Sequence, residues 1–381
     1  MTNSTNASRR TDRNPLTTIQ AGRATAALLV LLFHLSTNIF TKQKYWNADP
    51  TNNIFAFGHS GVHFFFVLSG FIIFYIHGSD IGQRSRLLPY ALKRFVRIYP
   101  IYWLVLFVLI AVYVVAPSFG RGFEWNAFTI ISSISLIHFD AFFLHTTWTV
   151  CRNEGLHTVL PVAWTLYHEL LFYMVFAAAI FHRPAGIITM ALWLMASAAS
   201  LLVSDRTCPL MFFATPLHLL FAMGIGACWL VQSRNVKFPW LFAATGLTLF
   251  VCAGAAEDLG TTKISADMLD MLYGIGSALG IAGMVTLEQQ GRVRAPPILR
   301  LLGDASYSTY LIHFPLLSLF AKLFVRLGAP TAVPPLMSFI LIFGIVSTLG
   351  VAVHLHLEKT LLKWGALHLV KSTATRQTAS S

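Results

Sequence analysis

The sequence predicts an all-α integral membrane protein: a single bundle of about ten transmembrane helices with both termini in the cytoplasm. Three observations carry this expectation. Hydrophobic residues make up 56% of the chain and charged residues only 11%, with a mean hydropathy of +0.65, a balance outside that of soluble globular domains. Several apolar runs approach or exceed the roughly 18 residues that cross a hydrocarbon core about 30 Å thick, and continuous runs of that length satisfy their backbone groups in lipid as helices. Basic residues also gather in alternate connecting segments rather than along the whole chain.

In order, the spans fall at 20–41, 57–77, 98–116, 163–182, 186–203, 211–231, 239–256, 268–287, 301–325 and 335–357. Segments on one side carry Arg9, Arg10 and Arg13, then Arg84, Arg86, Lys93, Arg94 and Arg97, and later Arg292, Arg294, Arg300, Lys359 and Lys363. Segments on the other side carry acids such as Asp49, Glu154, Glu257 and Asp267. The positive-inside rule places the basic side in the cytoplasm. The net charge of +12 is therefore topological, and nucleic acid is excluded as a partner. Residues 1–18 read as a disordered, basic cytoplasmic N-terminus, 19–360 as one ten-helix domain and 361–381 as a cytoplasmic tail.

The run AFTIISSISLIHFDAFFL at 127–144 would reverse the charge alternation if it crossed, so it is expected to be an external or re-entrant segment packed on the bundle. Cys151 and Cys208 fall in external loops, where a disulfide is permitted, whereas Cys228 and Cys252 lie in spans as small hydrophobes. Neither CxxC nor any Cys/His cluster has metal-ligand spacing, and no metal is expected.

Ionisable side chains at membrane depth are costly and usually face a cavity or a partner. In GRATAALLVLLFH (22–34), Arg23 and His34 are eleven positions apart, about three turns and 16 Å, so they share a face at different depths. Arg23 falls at the cytoplasmic boundary and His34 deep in the span. Between the second and third spans, the loop 78–97 includes RSRLLPYALKRFVRI, cations interleaved with apolar residues; this suits an amphipathic helix on an anionic leaflet. Arg94 and Arg97 stand at i, i+3, side by side, a spacing that suits a phosphate clamp.

In AWTLYHELLFYMVF (163–176), Trp164 opens the span and Glu169 lies about six residues inside it. Such a carboxylate forms an ion pair with a cation such as Arg23, or orients His34 as carboxylates orient catalytic imidazoles. In LGDASYSTYLIHFPLL (302–317), Ser306, Tyr310 and His313 make one polar stripe, either a cavity lining or interhelical hydrogen bonding, and Pro315 predicts a kink. The small residues of FGHSGVHFFFVLSGFIIF (57–74) predict close helix contacts.

These segments together resemble the membrane-bound acyltransferase-3 family, the bacterial O-antigen and exopolysaccharide O-acetyltransferases, and look most like its stand-alone exopolysaccharide type. The resemblance rests on an arginine, ten residues and a histidine at 23–34, on GVHFFFVLSGF at 61–71, RFVRIYPIYW at 94–103, AWTLYHELLFY at 163–173 and LGDASYSTYLIHFPLL at 302–317. One departure is visible: the family usually has aspartate where this chain has His63.

The resemblance implies transfer of an acyl group, most often acetyl, from cytoplasmic acyl-coenzyme A to a hydroxyl of an exported polysaccharide or lipid-linked oligosaccharide, in the bacterial inner membrane. Acyl-coenzyme A is then a co-substrate, not a resident cofactor. Arg23, Arg94 and Arg97 are expected to receive its phosphates, and His34 to act as general base with Glu169 orienting it. Trp164, Ser306, Tyr310 and His313 are expected to line the substrate site. A transporter or flippase of a lipid-linked sugar or acyl donor would show similar buried charges.

Overall fold

The structure, a computed structural model, describes residues 16–119, 125–137, 158–203, 210–260 and 264–370. Among these residues, nine helical spans are long and apolar enough to cross a membrane, and His218–Gln232 is a shorter apolar helix beside them. The chain is a multi-pass membrane protein.

The first helix, α1 (Thr17–Phe33), has no side-chain cap of its own. Its opening donors are taken by Glu288, at the far end of another helix. The two carboxylate oxygens accept from the Thr17 amide (2.6 Å) and hydroxyl (2.5 Å), and from the Thr18 amide (2.9 Å) and hydroxyl (2.5 Å). A negative charge at a helix N-terminus also complements the helix dipole. At His34 the helix widens into a π-helical segment, His34–Phe40. Polar residues cause the change: the Thr37 hydroxyl donates to the Phe33 carbonyl (2.7 Å) and Ser36 turns toward Asp49 and Thr51, competing with the regular ladder.

Helix α2 (Gly61–His77) crosses the short apolar helix at two glycines. A Cβ on Gly70 would strike the Phe221 carbonyl, and one on Gly224 would strike the Val67 carbonyl. Backbone therefore lies on backbone, as small residues allow inside membranes.

Helix α3 (Leu87–Val115) corrects the expectation of a surface helix followed by a separate span at 98–116. With the turn Arg84–Arg86 it is one 32-residue element, about 48 Å long and so longer than the hydrocarbon core. Pro100 sits inside it rather than at a helix start. Arg94 and Arg97 thus share a rigid rod with the membrane-spanning part.

Helix α4 (Ala127–Ser135) has nine residues, about half of a crossing. Of its last four carbonyls, that of Ser132 accepts from the C-cap amide of Leu136 (2.9 Å), and aromatic donors reach all four: Tyr167 to Ser132 (3.1 Å), Tyr102 to Ser133 (2.5 Å), Trp103 to Ile134 (2.8 Å) and Tyr99 to Ser135 (2.7 Å). Most of the remainder of 127–144, with Cys151 and Cys208, lies outside the described residues.

Helices α5 (Trp164–Phe181) and α6 (Arg183–Ala199) pack on α7 (His218–Gln232). A buried chain of hydrogen bonds joins all three: His168 Nδ1 to His218 Nε2 at 3.1 Å, and His218 Nδ1 to the Ser197 hydroxyl at 3.3 Å. The expected span 211–231 is shorter than predicted, because α7 begins only at His218. Helices α8 (Pro239–Asp258) and α9 (Ala266–Gln289) meet along Gly246, Gly276 and Gly283.

Helix α10 (Pro297–Asp304) docks Gly303 on the Gln20 carbonyl of α1 and leads into α11 (Ser306–Arg326). The last span, α12 (Pro335–Val353), passes through a second π-helical segment, His354–Glu358, into α13 (Lys359–Gly365). Helical structure thus continues beyond residue 357, where the span was expected to end.

Gly70→Val should lower the thermal unfolding midpoint of detergent-solubilised protein markedly, because overpacking costs about 1–3 kcal/mol even where side chains rather than backbone can yield. Gly226→Ala, which meets nothing within 4 Å, should leave the midpoint within a degree or two of the parent protein.

Candidate active site

Two cavities lie on either side of a thin wall within the bundle. The larger, about 450 Å³, is lined by Arg23 of α1, Ser69 of α2, Lys93, Arg94 and Arg97 of α3, Glu169 and Tyr173 of α5, and Ser306, Tyr307 and Tyr310 of α11. The smaller, about 170 Å³, is lined by Val30, Phe33 and His34, by His59, Val62 and His63, by Pro161, Val162 and Trp164, and by Tyr310. Val62 and Tyr310 belong to both. The Tyr310 hydroxyl is latched to the start of α5, 3.0 Å from the Thr165 hydroxyl and 3.3 Å from the Val162 carbonyl.

The larger cavity is cationic. Arg94 lies over the Tyr173 ring at 5.7 Å and Arg97 over the Tyr307 ring at 5.1 Å, so each guanidinium is braced by an aromatic face. Arg97 Nη1 donates to Glu358 at 2.6 Å. Glu358 is fully buried in the second π-helical segment; Ser308 (2.7 Å) and His354 Nδ1 (2.7 Å) also donate to it. Three donors on one carboxylate make its burial tolerable. Arg94 differs: its Nε is buried and has no hydrogen-bond partner among the described residues. A buried guanidinium donor of that kind invites an anion.

His34 stands beyond the wall. Its Nδ1 lies 2.9 Å from the Val30 carbonyl; a carbonyl only accepts, so Nδ1 carries the proton and Nε2 keeps its lone pair. The same fixing applies to His313, whose Nδ1 donates to the Tyr310 carbonyl at 2.6 Å. Its Nε2 then points a lone pair at His34 Nδ1, 3.4 Å away. Phe33, His313 and Phe314 surround the His34 ring edge-on at 5.0–5.3 Å.

Not every expected association forms. Arg23, Arg94 and Arg97 converge on one cavity, and Trp164 shares the other with His34. Glu169, however, does not pair with His34: its carboxylate accepts from Ser69 (3.0 Å) and from Tyr173 (2.5 Å), on the arginine side. The reason is helical: α5 meets the wall at Thr165, and Glu169 is one turn further along. The Val30 carbonyl and His313 orient His34 instead. Ser306 lines the arginine cavity and lies apart from His34, while Tyr310 stands between the two cavities and His313 backs the imidazole from outside them.

The family model described as an acyltransferase domain, acyltransferase-3, matches residues 16–355. The chain belongs to this acyltransferase family. It is similar to the exopolysaccharide production protein ExoZ of Rhizobium meliloti (strain 1021), with 32% identity over 331 residues, 84% of this chain and 94% of that protein. It is also similar to protein 2 in the picA locus of Rhizobium radiobacter, with 26% identity over 167 residues, 41% of this chain and 77% of that one. No solved structure matches.

Several site residues were not anticipated. His354 falls in the expected last span and Glu358 just past its end beside Lys359, and neither was singled out from the sequence. Their i, i+4 spacing was the available signal. His59 and His63 were read as part of a packing segment, although both line the His34 cavity. The departure at His63 is matched across the interface by Asp270 of α9, 2.6 Å from its Nε2.

Glu358→Ala strands Arg97 and His354, and should destabilise by about 3–5 kcal/mol, as breaking a buried pair does. Ser308→Ala, which removes one of three donors, should cost only about 1 kcal/mol. Unfolding midpoints followed by tryptophan fluorescence in detergent will rank the two; equal shifts would contradict the central place of Glu358.

Proposed function

We propose that the protein moves an acyl group, most simply acetyl, from acyl-coenzyme A in the cytoplasm to a hydroxyl of an exopolysaccharide or its lipid-linked precursor, in the bacterial inner membrane. The reading is carried by one observation: a cavity braced with arginines abuts, through the Tyr310 wall, a chamber holding an imidazole whose Nε2 lone pair has no partner among the described residues. The exopolysaccharide acceptor is suggested by the relative whose name refers to exopolysaccharide production.

In this reading the phosphates of coenzyme A rest on Arg23, Arg94 and Arg97, whose cytoplasmic placement follows the charge asymmetry of the sequence. The pantetheine arm extends toward the wall, and the thioester reaches His34 past Tyr310, whose hydrogen bonds to Thr165 and to the Val162 carbonyl must loosen. The acceptor hydroxyl oxygen attacks the thioester carbonyl while His34 Nε2 takes its proton. The tetrahedral intermediate then expels the coenzyme A thiolate, which receives that proton from the imidazolium, leaving a sugar ester and a free thiol. Val30 and His313 hold the imidazole in the competent tautomer. Glu169, hydrogen-bonded to Ser69 and Tyr173, balances part of the arginine charge and shapes the path of the arm.

Release of free thiol from acetyl-coenzyme A by proteoliposomes, dependent on added polysaccharide, tests the reading directly; substrate movement without thiol release would replace it with transport. His34→Ala should lower kcat by about 10²–10⁴ while the protein still inserts and accumulates. Arg94→Ala should raise KM for acetyl-coenzyme A roughly 10- to 100-fold, the loss expected for a charged hydrogen bond. KM for acetyl-pantetheine, which lacks the nucleotide phosphates, should barely change. Equal effects on both donors would remove the arginines from phosphate binding.

A further inference from the structure

The His34 chamber holds two more histidines, and each is gripped by a carboxylate. His59 Nε2 lies 2.8 Å from Glu257, whose other oxygen accepts from the Tyr273 hydroxyl at 2.6 Å. His63 Nε2 lies 2.6 Å from Asp270. The His63 ring sits 5.3 Å from Tyr273 and 5.8 Å from His59.

His63 is the informative member. It is only 5% exposed, and Nδ1 is buried without a hydrogen-bond partner among the described residues. In the neutral ring the carboxylate of Asp270 accepts the Nε2 proton, so Nδ1 presents a lone pair. His63 lines the cavity and Nδ1 is covered there by neighbouring side chains; once those give way, a donor entering the cavity is the partner this acceptor needs. Anions are disfavoured there, since both ring nitrogens are committed as one donor to Asp270 and one acceptor. A hydroxyl fits.

The chamber's size restricts where that hydroxyl can come from. About 170 Å³ is well below the roughly 300–1,000 Å³ of pockets that enclose drug-sized ligands, and accommodates one sugar ring. We propose that His63, held by Asp270, binds the acceptor by accepting a hydrogen bond from a second hydroxyl of the same ring whose first hydroxyl gives its proton to His34. This rests on the acyltransferase reading and extends it to a substrate class: a ring with two free hydroxyls, so that a ring already esterified at the second position is refused.

The test uses the full-length protein in proteoliposomes, with acetyl-coenzyme A as donor. Methyl hexopyranosides and their monodeoxy analogues serve as acceptors. Unmodified protein should prefer a parent glycoside over one analogue, deoxygenated at a position other than the one acylated, by roughly 10- to 100-fold in kcat/KM, the range for a lost hydrogen bond at a buried partner. His63→Phe should bring that ratio close to one, mainly by slowing the parent, whereas His63→Asn, which can still offer an acceptor oxygen, should keep part of it. Calorimetric binding of the same glycosides to the unmodified protein, with coenzyme A present, should reproduce the preference without chemistry or a variant. Thiol release with no discrimination among deoxy analogues, or with a ratio unchanged in His63→Phe, overturns the role of His63 alone. Absence of thiol release with every acceptor, polysaccharide included, overturns the function as well.

Discussion

Four hydrogen bonds to one carboxylate set the height of the helix on which the site is built. Glu288 takes the amides and hydroxyls of Thr17 and Thr18, and Gly303 seats α10 on the next turn at Gln20. Helix α1 therefore cannot slide along the bundle without losing donors that lipid would not replace. Because Arg23 and His34 are both on α1, their depths are fixed together, and the other elements are arranged around that rod. Helix α3 brings two more arginines to the level of Arg23, α11 brings His313 to the level of His34, and α5 closes the space between them with Tyr310 hydrogen-bonded to its first turn.

The charged groups have a second requirement, that each be matched where it is buried. Arg97 meets Glu358, and Glu358 is itself completed by Ser308 and His354. Glu169 accepts from two hydroxyls and shares its cavity with the arginines. The consequence is a division of labour among the arginines: one is committed to the protein, while Arg94 keeps a donor without a partner among the described residues. A binding surface for an anion needs both, a braced cation that shapes the cavity and one whose donors are open.

Most of the architecture was legible in the sequence because membranes leave few options. Hydropathy located the spans, and the eleven-residue interval from Arg23 to His34 placed both on one face. Boundaries failed where a residue has two meanings. The span expected at 98–116 begins close to Pro100, yet Pro100 lies within α3, where a single missing amide is tolerated. The His218 helix was overextended because 211–217 is apolar without being helical throughout. Partners were the least legible. Glu169 and His34 are the obvious acid and base, but which faces which depends on the rotation of α5 against α1, and no spacing within either segment encodes that. Glu358 was hidden by its basic neighbours, and His63 by glycines and aromatics that announce packing. The pairing of His63 with Asp270 joins positions 207 apart, beyond any local pattern.

The first π-helical segment shows how the chain keeps one distance exact while relaxing others. Helix α1 is regular from Thr17 to Phe33, and its wider turn starts at His34 itself. The stretch between the arginine and the histidine is therefore a ruler graduated in residues at about 1.5 Å each, and the irregularity that relieves neighbouring strain has been pushed just past its end. One residue inserted within the ruler would turn His34 by about 100°. Length variation in this chain is thus costly in the interval between Arg23 and His34.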